Sequence, residues 1–209
     1  MSYGVEYFAA RETDTLEWVD VLLGLKAIGA TRQDVIVEVG AGTGRLSMWL
    51  RQRGLDVRPC DPYSGAVPYC RLPDAVPPAD VYVLQHVLEH VELEESVEAL
   101  CRARRGVVAV VPGHFAPDPT HVYSHFTPSL HGTYKGLFGE ARVASISSLV
   151  DAFRRCGMYA AAWLDLRSWL DPPNADWVVV AAWKPVRRPL RYYAYLIALT
   201  AERFVAKAL

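Results

Sequence analysis

A chain of 209 residues is long enough for one domain with a full core and too short for two sizeable ones. Its 52% apolar and 22% charged residues exclude an intrinsically disordered chain. A formal net charge of −1 excludes a global electrostatic pull toward nucleic acid or anionic membrane, although a local basic patch is still allowed.

The first predicted element is a helix from Asp14 to Ala30. Asp14 with Glu17 makes a capping-box pattern, Leu16, Val19, Leu23 and Ala27 form an apolar stripe, and Gly29 stops it. Val35–Val39 reads as a short buried strand, followed by a glycine loop and a helix from Arg45 to Arg53 that Gly54 ends. Asp56–Asp61 and Asp80–Leu84 read as strands, and a helix is predicted from Leu88 to Arg104. Then come a strand over Gly106–Val111, a helix over Ser147–Cys156 closed by Gly157, and strands over Tyr159–Leu164 and Trp177–Trp183. Strands alternating with helices imply a mostly parallel α/β sheet covered on both faces.

Cys60, Cys70, Cys101 and Cys156 have no C-x-x-C spacing, so free thiols in a reducing compartment are expected rather than a disulfide framework. Met1–Arg11 shows no basic stretch ahead of an apolar run, and no segment has the length to span a bilayer. The working expectation is a soluble cytoplasmic protein.

The loop Glu38-Val39-Gly40-Ala41-Gly42-Thr43-Gly44 joins a predicted strand to a predicted helix. Its glycines let the backbone turn tightly and come close to a ligand, at a helix start that favours anionic groups. A dinucleotide fingerprint needs a third glycine where Arg45 stands. The G-x-G-x-G spacing with an acid two residues before it resembles the class I S-adenosylmethionine-dependent methyltransferases (a type 11/12-like domain). Val83–Val91, with its Leu-Glu-His-Val run, and Val110–Gly113 extend the likeness to nearly the whole chain.

That resemblance implies a Rossmann-like, doubly wound, three-layer α/β/α fold with an antiparallel last strand, over residues 1–186. It implies S-adenosylmethionine as cofactor. Glu38 would orient the methionine amino group, and the Gly40, Ala41, Gly42 and Gly44 backbone would run along the amino-acid and ribose portions. Asp61 would accept the ribose hydroxyls, with Pro62, Gln85 and His86 as further cofactor contacts. The interval from Asp61 to Asp80 is short for the helix, strand and adenine loop usual in the family. Tyr69–Leu72 is a candidate for a vestigial strand among Pro62, Pro68, Pro73, Pro77 and Pro78.

All six histidines lie between His86 and His131. Three readings compete for them. His86-Val87-Leu88-Glu89-His90 matches H-x-x-E-H and on a helix would present three ligands on one face, with His121 as a fourth. It resembles the E-x-x-E-H motif with which small-RNA 2′-O-methyltransferases hold a divalent ion. In the second reading a neutral histidine deprotonates the acceptor, and His90, His121 and His125 are the catalytic candidates. In the third, the Glu89–His90 pair bridges structurally to the His121–Thr127 segment. No metal is assigned; were one bound, His86, Glu89, His90 and His121 would be its ligands.

The expected reaction is methyl transfer to an oxygen or nitrogen of a small molecule or glycan. Metal-assisted RNA methylation and a non-catalytic cofactor-binding role are the alternatives, and nucleic acid is disfavoured by the charge. Gly113–Gly139 is expected to wall the acceptor site, and residues 1–30 to supply a helix and a lid carrying Tyr3, Tyr7 and Phe8. Residues 187–209 read as an amphipathic helix, with Arg187, Arg188 and Arg191 at its entrance, for packing, a homodimer contact or peripheral membrane contact.

Overall fold

The computed structural model describes residues 15–114, 120–129, 132–136, 139–165 and 175–186. The segments expected to form the lid and the C-terminal helix, and with them His131, lie outside the described residues.

Strands of five to seven residues, most of them rich in Val or Ala, build the main sheet. Strands β1 (Val35–Val39), β2 (Asp56–Cys60), β3 (Val81–Gln85) and β4 (Gly106–Pro112) are parallel. β9 (Asp176–Ala182) runs antiparallel beside β4, and β8 (Tyr159–Leu164) antiparallel beside β9. The order is β2-β1-β3-β4-β9-β8, the mostly parallel sheet with an antiparallel last strand that was expected.

Successive side chains on a strand point to opposite faces, and both faces are apolar. Val108 and Val110 of β4, with Val178 and Val180 of β9, face a core completed by helices α1 (Thr15–Ala27) and α2 (Arg45–Arg51). Val107, Ala109, Val111, Val179 and Ala181 face the opposite core under helices α3 (Leu93–Leu100) and α4 (Ile146–Arg155). Three layers result.

Several expectations are corrected. Helix α1 turns Val21 and Leu25, with Ile28 just beyond it, to the sheet core, and Leu23 and Ala27 of the expected stripe are buried outside that cluster. The helix is apolar nearly all round, so periodicity alone chose poorly. The decisive residue is Gly24, where a Cβ would come within 2.5 Å of Val108 Cγ1. The helix predicted over Leu88–Arg104 is broken into a 3-10 turn at Leu88–His90, an extended pair at Val91 and Glu92, and α3. H-x-x-E-H is therefore not one helical face.

The vestigial strand reduces to a single bridge between Arg71 and Ala75, which leaves β2 at the sheet edge. Pro59 lies within β2, and proline in a sheet belongs on such an edge because it cannot donate to a ladder. A second sheet, unforeseen, pairs β5 (His125–Thr127) parallel with β7 (Gly139–Ser145), and β7 antiparallel with β6 (Gly132–Gly136). Ser145 ends β7 and caps α4, its Oγ accepting from Ser148 N at 3.3 Å.

The cysteines also depart from expectation. Cys60 is bonded to Cys70 and Cys101 to Cys156, so none is free. The first pair ties the chain after β2 back to that strand. The second joins the ends of α3 and α4, which pack on the same core. Thiol titration in denaturant without reductant should accordingly find no free thiol. The Cys101–Cys156 bridge spans 55 residues, so reducing it should lower stability in urea unfolding by about 4 kcal/mol by the chain-entropy relation. Four titratable thiols in the unreduced protein would refute the pairing.

Candidate functional site

Strand order reverses at β1, which lies between β2 and β3. In an open α/β sheet the crevice beyond the carboxyl ends of the strands at such a point is where ligands bind. Here a cleft of about 710 Å³ opens there, lined by the glycine loop, Asp61, Pro62, Gln85 and His86 among others. Its size is that of an ordinary small-molecule site.

The glycine loop is held by hydrogen bonds from both sides. Gly40 N and Ala41 N donate to Cys60 O at 2.9 and 3.0 Å, tying the loop to β2. Gly42 N donates to Asp61 Oδ2 at 2.9 Å. Gly40 has φ 72°, and a Cβ there would collide with Val87, so both conformation and space require glycine. The other Asp61 oxygen accepts from Tyr63 N at 2.7 Å and Ser64 N at 2.8 Å. A carboxylate offers roughly four acceptor sites. Three backbone donors therefore leave room for one further hydrogen bond, fewer than the two ribose contacts expected.

Glu38 on β1 is only 4% exposed. Ser47 Oγ of α2 donates to its Oε2. Burial pushes the Glu38 carboxyl up to about 7; the Ser47 hydrogen bonds oppose this and the neighbouring Asp61 charge adds to it. A buried acid of this kind on the cleft wall favours a cationic partner.

The cleft's other walls were not predicted. Trp18 of α1 lines it, as do Cys70, Arg71, Leu72 and Pro73. These four follow directly on the Cys60–Cys70 bridge, which takes the place of the missing strand in holding that wall. Glu92 and Glu95 add acid to the lining.

The histidines separate. His86 has φ 54°, its Nδ1 lies 3.4 Å from Glu89 Oε1 and its Nε2 3.3 Å from Asp176 Oδ2. Both carboxylates are buried, Glu89 at 1% and Asp176 at 0% exposure. Asp176 Oδ1 also faces His114 Nδ1 at 3.3 Å and accepts from Gly113 N at 3.3 Å. Asp176 went unnoticed in the sequence; its signal is a lone acid at the head of an apolar strand.

His90 lines the cleft, and its Nδ1 lies 3.3 Å from Thr120 O and 3.2 Å from Thr120 Oγ1. The His121 ring meets it edge-on at 4.5 Å between centroids. Val122 N and Tyr123 N donate to Glu89 O at 2.7 and 3.0 Å, so the 3-10 turn and the His121–Thr127 segment are in contact. His125 lies elsewhere, its Nδ1 3.1 Å from Ser124 Oγ, and it is not among the cleft-lining residues. Burial, helped by the nearby His114, holds its ring below the usual imidazole range.

No protein-family model and no curated protein matches the chain. Solved structures do. One is the 1,6-didemethyltoxoflavin-N1-methyltransferase of Burkholderia thailandensis with bound 1,6-didemethyltoxoflavin and S-adenosylhomocysteine, at 15% identity and TM-score 0.56 over 85% of this chain and 83% of that one. Another is the magnesium protoporphyrin IX methyltransferase of Synechocystis with bound S-adenosylmethionine, at 16% identity and TM-score 0.52 over 81% and 78%. A third is an S-adenosylmethionine-dependent methyltransferase of Mesorhizobium loti, at 16% identity and TM-score 0.55 over 80% and 99%. With its glycine loop at the switch point and its last strand antiparallel, the chain has the class I S-adenosylmethionine-dependent methyltransferase fold.

Proposed function

We propose that the protein is an enzyme that transfers a methyl group from S-adenosylmethionine to an oxygen or nitrogen of a small molecule or sugar. The observation that carries this reading is the buried Glu38 carboxyl beside the Asp61-clamped glycine loop, on the wall of one cleft. The residues fit the cofactor's chemistry. An acid raised to about 7 by burial recovers its charge against an ammonium, as the methionine end of the cofactor provides. Gly40, with its positive φ and with Val87 packed where a Cβ would stand, lets the loop turn tightly beside the cleft. Asp61 keeps an acceptor position for a ribose hydroxyl, and the Cys70–Pro73 wall lies on the same side of the cleft for the nucleobase.

The cofactor supplies a sulfonium, a good leaving group for in-line displacement. The protein's part is to align the acceptor and exclude water. Structural neighbours bind small molecules such as 1,6-didemethyltoxoflavin, in keeping with a small acceptor. Among the described residues no helix is long and apolar enough to cross a membrane. The expectation of a cytoplasmic location loses the support that free thiols would have given it, because all four cysteines are paired.

Calorimetry with S-adenosylmethionine tests the reading. Asp61→Ala should weaken binding about 10- to 100-fold, the range of a charge-assisted hydrogen bond; wild-type affinity in this variant would sink the assignment. Glu38 should make binding pH-dependent. Below about 7 the free protein holds Glu38 protonated, and binding an ammonium must expel that proton. Affinity should therefore fall as pH drops below 7, approaching tenfold per unit, with proton release detectable by changing the buffer's ionisation enthalpy. Glu38→Gln should bind weakly and lose this slope.

A further inference from the structure

Glu89 is unusual. It is 1% exposed, and its Oε2 is buried without a hydrogen-bond partner. A buried carboxylate oxygen left in this way costs free energy and calls for a cation or donor. Two imidazoles stand beside it. One donor atom from each of Glu89, His90 and His121 lies within 4.8 Å of the other two.

The arrangement is held by the fold. Glu89 and His90 sit on the 3-10 turn, and the two backbone hydrogen bonds to Glu89 O bring the segment carrying His121 against it. Thr120 meets His90 through Nδ1, the kind of outer contact that orients a ligand histidine by the nitrogen not bound to an ion. His86, expected as a ligand, is drawn instead between Glu89 Oε1 and Asp176.

We propose that Glu89, His90 and His121 form a divalent-cation site just behind the cleft wall, which His90 reaches, selective for a borderline ion such as Zn²⁺ over Mg²⁺. Two imidazoles with one carboxylate suit zinc-like ions, whereas Mg²⁺ prefers an all-oxygen shell. A tetrahedral ion with ligands at about 2.1 Å sets its donor atoms roughly 3.4 Å apart, so small rotations of the two rings close the site. Three protein ligands leave a fourth position open. Of the three ligands His90 lines the cleft, as do Thr120 and Val122 on either side of His121, so the open position would be reached from the cleft.

Resting on the methyl-transfer reading, the site narrows the acceptor to one offering an oxygen ligand. A hydroxyl bound at the open position has its pKa lowered, passes its proton to water and is left as an oxyanion nucleophile.

The test uses chelator-treated full-length protein, titrated with Zn²⁺ against a chromophoric chelator and with Co²⁺ by visible absorption. One equivalent of Zn²⁺ should bind, and His121→Ala and His90→Ala should each raise its Kd at least tenfold and abolish the Co²⁺ bands. Circular dichroism identifies any variant that has unfolded. Two variants on separate segments, together with the wild-type Co²⁺ spectrum, keep the outcome decisive. Absence of Zn²⁺ binding, or binding undiminished in both variants, overturns the site. S-adenosylmethionine binding measured without metal reports on the methyl-transfer reading separately, so either can fail alone.

Discussion

The hydrogen bond from Gly42 N to Asp61 Oδ2 joins the two strands on which the candidate site is built. β1 ends in the glycine loop and β2 ends in Asp61, and parallel pairing places Val39 opposite Cys60. The Cys60 carbonyl takes Gly40 N and Ala41 N, and the Asp61 carboxylate takes Gly42 N. The loop thereby acquires its shape from its neighbour strand. Asp61 in turn organises Tyr63 and Ser64, and the disulfide at Cys60 anchors the Cys70–Pro73 wall. Glu38 is buried because α2 begins directly after the loop and lays Ser47 over it.

Charge in the second half of the site is organised by two buried carboxylates. Asp176 enters at the head of the antiparallel strand, where a strand returning from elsewhere in the sequence meets β4. It holds His86 and His114 together. Glu89 shares His86 with it through Oε1 and also lies beside His90 and His121. His86 therefore divides the histidines into two groups. It lies between the two buried carboxylates, and His90 is left on the cleft wall with His121 packed edge-on against it.

Local patterns were legible where chemistry is local. The Glu38–Gly44 loop and Asp61 could be read directly, because a tight turn requires glycine and a strand end presents its last side chain to the crevice. The strands of β1, β4, β8 and β9 could be read from their apolar runs. The break at Val91 and Glu92 could not, since Leu88–Leu100 carries no proline or glycine to announce it. Contacts to Val122 and Tyr123, far along the chain, decide that geometry.

By itself, then, the sequence determined the α/β alternation, the glycine loop and the acids that flank it, since each depends on residues close together in the chain. Only the tertiary structure decided which face of α1 meets the sheet, which cysteines pair, and which histidines gather around Glu89 and which around Asp176. Those outcomes depend on contacts between segments far apart in sequence. There Gly24 against Val108, Cys101 against Cys156 and Asp176 against His86 leave no periodic mark.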